Sequence, residues 1–216
     1  MNKEREKAAA TLRGVSRQLA PRGWLRATSG NLSLRDPHSN IIYITRSGAD
    51  KQRLCSADVI GVALDGTLVV GQGAPSFETA IHRALYKATN AEAVFHVHSV
   101  YNNVAAHYAR NGELIFKDHE MIKALGHWDE NAQVAIPVIP NFADINRIAN
   151  IVTAVVNPQV PAILVERHGV YAFGKTVGDA LRHLEALEFL FEWLCWEGLT
   201  QIAQHVDDPH FAQNFL

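Results

Sequence analysis

Cysteine is scarce in this chain of 216 residues, which carries only Cys55 and Cys195. They lie far apart and outside any C-x-x-C pair, which excludes a disulfide framework and fits a reducing compartment, so the cytoplasm is the expected location. Charge of one sign is lacking too. With 20 basic and 22 acidic side chains, a net charge of -2 and no run of Lys or Arg, the chain has no electrostatic footprint for nucleic acid or an anionic membrane. No apolar run reaches the roughly 20 residues that a membrane-crossing helix needs. The first segment, Met1 to Ala20, is charged and helix-patterned rather than signal-like. Linkers, internal repeats and low-complexity stretches are also missing. What remains is an ordinary globular composition, 48% hydrophobic, expected to form a single domain over residues 1–216 with a substantial core.

Hydrophobic spacing predicts an opening helix over residues 4–20, ended by Pro21-Arg22-Gly23. Two strands are expected at Asn31–Arg35 and Ile41–Thr45, joined through Asp36–Asn40. A hairpin follows around Asp65-Gly66, a dipeptide favoured where both turn residues take positive φ. Pro75-Ser76 is read as opening a helix through Lys87, with Phe77, Ala80, Ile81, Ala84 and Leu85 as its buried stripe. A strand through His96 and His98 leads into a helix reaching Arg110, and His119–Leu125 is a further short helix. Gln133–Ile139, Ala162–Glu166 and Val170–Phe173 are strand-like, and Ala143–Val156 is helical. A long final helix starts at Thr176 and Asp179 and sets Leu181, Leu184, Leu187, Glu188, Phe191, Leu194 and Cys195 along one face. Interleaved helices and strands with early hairpins imply an α/β (α+β type) architecture, a mixed or antiparallel central sheet with helices on both faces.

Phe95-His96-Val97-His98-Ser99 is the most informative stretch. Alternate side chains on a strand share a face, so His96 and His98 can present two imidazoles to one ion. Hydrogen-bonded structural histidines are the competing reading. A catalytic zinc centre takes three protein ligands and leaves a position open, and His168, before Gly169, is the best third candidate. Histidines 38, 82, 107, 127, 183, 205 and 210 are expected to be solvated or to cap helices. Two turns, Ala27-Thr28-Ser29-Gly30-Asn31 and Thr45-Arg46-Ser47-Gly48, combine hydroxyls with glycine, as concave anion sites do, although such residues are also ordinary in loops. Ser76 adds a hydroxyl at a helix start, where an anion is favoured. Glu78 and Glu120 are weighed as acid–base carboxylates, although each alone reads first as a surface group. Lys51 reads either as a phosphate contact or as a solvated lysine. Trp24, Trp128, Trp193 and Trp196 supply core or interface area.

Together Thr28–Asn31, Thr45–Gly48, Pro75–Glu78, His96-Val97-His98 and His168-Gly169 resemble the class II aldolase/adducin family, with matching order over roughly residues 5–200. The resemblance implies that family's three-layer fold, zinc held by His96, His98 and His168 at one ion per subunit, and a phosphate held by Ser29, Gly30, Asn31, Ser47, Gly48 and Ser76. It implies an acid–base role for Glu78. Phe77 departs from the pattern, because fuculose phosphate aldolases usually carry a second hydroxyl there.

Within the family the chain is most similar to the branch that dehydrates 5-methylthioribulose 1-phosphate in methionine salvage. Gly23-Trp24, His98–Asn103, His119–Gly126 and Leu187–Phe191 carry that likeness. Fuculose aldolases have a tyrosine where this chain has Glu120, and the resemblance makes Glu120 the catalytic acid/base. It also implies a small sugar-phosphate substrate and a homotetramer with sites between subunits. Aldol cleavage or epimerisation of a sugar phosphate is the alternative reaction, and a non-catalytic adducin-like scaffold is the remote one. The role of Asp207–Leu216, with Phe211 and Phe215, is open.

Overall fold

The structure is a computed structural model that describes residues 2–205. His210 and the Asp207–Leu216 tail lie outside the described residues. The chain runs α1 (Asn2–Leu19), β1 (Asn31–Arg35), β2 (Ile42–Thr45), β3 (Val59–Val62), β4 (Leu68–Val70), α2 (Thr79–Ala88), β5 (Ala93–Val97), α3 (Val100–Ala105), β6 (Glu113–Lys117), β7 (Gln133–Ile139), α4 (Ile145–Val155), β8 (Ala162–Val165), β9 (Gly169–Gly174) and α5 (Val177–His205). The strands form a nine-stranded sheet in the order β4-β3-β2-β1-β5-β9-β8-β7-β6. β7 and β8 pair in parallel, and the other described pairs are antiparallel. The mixed sheet expected from the sequence is present.

Each face of the sheet buries its own apolar cluster. On one side Leu12 and Val15 of α1, Ala105 of α3 and Leu184, Leu187 and Phe191 of α5 pack against Leu32, Phe95, Leu164 and Ala172. On the other, Ile81, Leu85 and Tyr86 of α2 and Ile148 and Val152 of α4 cover Ile44, Val94, Ile163 and Tyr171. Strands at the sheet centre are therefore buried on both faces, and β5 is fully buried along its length, as sheets covered by helices on both sides require. The result is three layers, helix–sheet–helix. No described helix is long and apolar enough to cross a membrane.

Several local expectations are corrected. The β3–β4 connection is a three-residue loop, closed by the Ala63 N–H on the Thr67 carbonyl and the Gly66 N–H on the Ala63 carbonyl. Only Gly66 has positive φ there (99°), so a type I turn followed by a left-handed glycine replaces the expected mirror-image turn. α2 begins at Thr79 rather than Ser76. α3 ends at Ala105 and tightens into a 3-10 turn at Ala106–Tyr108 instead of reaching Arg110. β6 was not anticipated: its exposed Ile115 breaks the apolar alternation that would have announced it.

Candidate metal centre and phosphate loops

The centre forms where β5 ends. β5 lies between β1 and β9, with His96 opposite Asn31 on one side and Tyr171 on the other. His96 is completely buried, and its Nδ1 is 2.9 Å from the Val170 carbonyl. A carbonyl only accepts, so Nδ1 carries a proton and the other ring nitrogen, Nε2, faces the cluster. His98 lies just past the strand, held by its N–H on the Trp24 carbonyl at 3.1 Å, and its Nε2 is 2.8 Å from that of His96. The pairing inferred from alternate strand positions is thus realised.

His168 arrives from the β8–β9 turn, where Arg167 takes a left-handed φ of 51°, a strained conformation of the kind that clusters at functional sites. Its Nε2 is 2.6 Å from Glu78 Oε1, and the same carboxylate oxygen is 3.5 Å from His96 Nε2. Glu78 occupies the N-cap position of α2 but makes no capping bond with its side chain; the carboxylate turns to the histidines instead. Burial works to raise its pKa, but the neighbouring His96 and His168 outweigh this and hold it well below the usual carboxylate range. His98 is pushed down to about 3 by burial and by the adjacent imidazoles, so it is a neutral donor at physiological pH. One donor atom from each of Glu78, His96, His98 and His168 lies within 4.8 Å of the others. Three imidazole nitrogens and a carboxylate, all converging, fit a first-row divalent cation.

Beside the centre the main chain bends sharply. Ala27 and Thr28 both have positive φ (52° and 59°), as does Gly30 (79°). A side chain on Gly30 would bring its Cβ to 2.5 Å from the His96 carbonyl oxygen, so this turn must approach β5 as bare backbone. Ser29 Oγ and Asn31 Oδ1 are buried with no protein partner among the described residues. The Lys51 ammonium donates to the Thr28 carbonyl at 2.7 Å and is buried, which lowers its pKa; it is not a solvated lysine. Ser47 and Gly48 lie on an exposed turn, closed by the Ala49 N–H on the Arg46 carbonyl, with Gly48 at φ 70°. Ser76 precedes α2 and accepts weakly from the Glu78 N–H at 3.4 Å. Phe77 beside it is 87% exposed, against its expected place in the buried stripe.

Glu120 is not among the groups brought together. It opens a 3-10 turn, Glu120–Leu125, is exposed, and pairs with Lys123 at 2.8 Å. It lines a separate cleft of about 200 Å³ with Asp118, His119 and His127.

His82 overturns its expectation. It is fully buried, its Nδ1 2.7 Å from the Ser33 hydroxyl and its ring edge-on to Tyr171. Burial drives its pKa down to about 3. His127 bonds the loop carbonyl of Gln159 and His183 the β9 carbonyl of Phe173, so neither caps a helix. Of the tryptophans, Trp24 is half-buried, whereas Trp128, Trp193 and Trp196 are exposed.

A helix–sheet–helix fold with a three-histidine, one-carboxylate centre beside glycine–serine turns defines the class II aldolase type of protein. The chain belongs to the family described as Class II Aldolase and Adducin N-terminal domain, which matches residues 10–195. It is 42% identical over 195 residues to the methylthioribulose-1-phosphate dehydratase of Persephonella marina, covering 88% of this chain and 90% of that one. The protein of that name from Geobacillus thermodenitrificans is 43% identical over 182 residues, covering 83% and 86%. Among solved structures, the L-fuculose-1-phosphate aldolase of Thermus thermophilus superposes with a TM-score of 0.73 at 24% identity, over 93% of this chain and 98% of that one.

Proposed function

We propose that this chain is a metal-dependent lyase that dehydrates 5-methylthioribulose 1-phosphate to 2,3-diketo-5-methylthiopentyl-1-phosphate, a step of methionine salvage. The observation that carries the reading is the convergence of Glu78, His96, His98 and His168 in a chain whose relatives bear the dehydratase name. Zinc, one ion per subunit, is the proposed occupant, and when bound it polarises the substrate carbonyl so that the neighbouring C–H becomes acidic.

The chain's own residues do the rest. Backbone N–H groups and hydroxyls of Ser29, Gly30, Asn31, Ser47, Gly48 and Ser76 hold the phosphate, with the Lys51 charge nearby, and so fix the sugar's position. Glu120 accepts the C3 proton and returns it to the departing C4 hydroxyl, which leaves as water; the resulting enol becomes the diketone. Glu78 orients His168. Because Glu120 stands on a separate cleft of its own chain, it serves the centre of a neighbouring subunit in a homotetramer whose sites lie at subunit interfaces. Val100, Val104, Trp196 and Leu199, exposed on α3 and α5, supply apolar area for such contacts. The enzyme acts as one domain over residues 1–216, in the cytoplasm.

The test is a coupled assay of zinc-loaded protein with 5-methylthioribulose 1-phosphate, with fuculose 1-phosphate in parallel and light scattering for the oligomer. Dehydration abolished by a chelator is expected. Cleavage of fuculose 1-phosphate without dehydration would keep the metal centre and overturn the reaction.

A further inference from the structure

α5 carries one carboxylate on its buried face. Glu188 is 3% exposed, in line with Leu184, Leu187 and Phe191, all fully buried. A carboxyl group in such a stripe is costly, and a leucine would pack there without that cost. Glu188 Oε1 accepts from the Asn102 side-chain amide at 2.7 Å, while Oε2 has no bonded partner among the described residues. Burial pushes its pKa up to about 7, so a protonated or an ionised carboxyl serves as the acceptor at neutral pH.

The hydrogen bonds continue from Asn102 to the metal ligands. Its Nδ2 also donates to the Val97 carbonyl at 3.3 Å, the residue before His98. Its Oδ1 accepts from Asn103 Nδ2 at 3.0 Å. The two hydrogens of Asn103 Nδ2 are shared among this oxygen, the Ser99 carbonyl at 2.9 Å, the residue after His98, and the His168 carbonyl at 3.1 Å. Two adjacent amides thereby grip the main chain on both sides of His98 and at His168, which comes from a strained turn seventy residues further along the chain. An amide has two nearly isosteric orientations. Here the acceptor on α5 selects the one that aims Nδ2 at Val97 and Oδ1 at Asn103.

We propose that Glu188 is a positioning residue for the metal centre, acting through Asn102 and Asn103 to set the separation of His98 from His168. The inference rests on the metal reading of the histidine cluster. Outer-shell partners of this kind typically change metal affinity by roughly 10–100-fold when removed.

Zinc affinity of chelator-stripped protein, measured by competition with a chromophoric chelator, and the visible spectrum of the cobalt-substituted protein test it. Glu188→Leu is expected to weaken zinc binding by about 10–100-fold and to alter the cobalt bands. Glu188→Gln keeps an oxygen acceptor for Asn102 and is expected to restore both. Asn103→Ala, at a half-buried site away from the α5 core, is expected to reproduce the loss even if the leucine variant folds poorly. Zinc affinities and cobalt spectra like wild type in both Glu188→Leu and Asn103→Ala would overturn the proposal. A wild-type protein that binds no zinc would instead overturn the metal reading, and this inference with it.

Discussion

The phenol ring of Tyr171 lies flat on the imidazole of His96, with ring centroids 3.8 Å apart and 9° between their planes. His96 is thus held on its face by Tyr171 and at its edge by the Val170 carbonyl, a double constraint that aims Nε2 at the cluster. The Tyr171 hydroxyl, in contrast, has no protein partner among the described residues, and its burial pushes its pKa well above the usual tyrosine value. The ring rather than the hydroxyl makes the contact with His96. Tyr171→Phe is expected to leave zinc affinity and melting temperature unchanged or slightly raised, because it removes a buried polar atom with no protein partner. Tyr171→Leu is expected to weaken zinc binding by about 10-fold. Calorimetric melting and zinc competition check both, and a phenylalanine variant destabilised by more than about 1 kcal/mol would mean that the hydroxyl is used.

Gly169 sits directly behind two of the clustered histidines. A Cβ there would run into the Val97 carbonyl and come within 2.7 Å of the His98 ring and 2.9 Å of the His96 ring. Gly169→Ala is therefore expected to force β9 away from β5, with a cost of about 1–3 kcal/mol from overpacking and a zinc affinity lowered along with it. Denaturant melts paired with zinc titration measure the two effects. Wild-type affinity in this variant would show that the histidines do not depend on this close strand approach.

Glu120 and the histidines belong to different regions of one chain, so their joint action is testable by mixing subunits. Glu120→Gln is expected to lower kcat by roughly 10²–10⁴-fold with zinc affinity unchanged. His98→Ala is expected to be inactive through loss of metal. Refolding the two inactive variants together should regenerate activity, because hybrid oligomers contain some sites with an intact Glu120 facing an intact centre. Absence of any recovery, with mixed oligomers demonstrated by mass, would place both groups in the same subunit's site or remove Glu120 from the reaction.

His82, being buried, is expected to make the fold acid-sensitive independently of catalysis. In the folded chain it resists protonation down to about pH 3, whereas an unfolded histidine takes a proton near pH 6.5. Between these limits the unfolded state binds the additional proton, so stability is full above pH 6.5 and falls as the pH drops toward 3. The slope for one such group approaches about 1.4 kcal/mol per pH unit. In metal-free protein, His82→Phe should flatten the acid limb of melting temperature against pH, whatever it costs at pH 8. An acid limb as steep as that of wild type would assign the sensitivity to other groups.

Residues whose neighbours are set by local geometry were legible from the chain. His96 and His98 stand two apart where β5 ends, and extended backbone places alternate side chains together without a partner. The stripe on α5, with Glu188 in it, follows from helical spacing in the same way. The hydroxyl–glycine composition of the turn at Ser29–Asn31 also signals sharp backbone, and the structure has three positive φ values between Ala27 and Gly30.

Other relationships depend on what packs across the sheet. Nothing in the spacing of His82 distinguishes a solvated helix face from the buried seam between α2 and the strands, because the helix period says which residues share a face and not which face meets a core. Phe77 shows the converse: it falls in the apolar stripe by count yet lies in the segment before α2 and is exposed. Spacing is equally silent on Lys51, whose ammonium packs against the Thr28 carbonyl of a turn more than twenty residues away.

Residue order was enough for the three-layer architecture, the histidine pair at the end of β5 and the family, because hydrophobic period and motif order are local and additive along the chain. Only the folded packing settled that Glu78 and His168 close the cluster, that Asn102 and Asn103 tie it to Glu188, and that Glu120 stands apart from it in the same chain. Such contacts arise only when strands distant in sequence become neighbours in the sheet, and hydrogen-bond geometry between them has no counterpart in residue spacing.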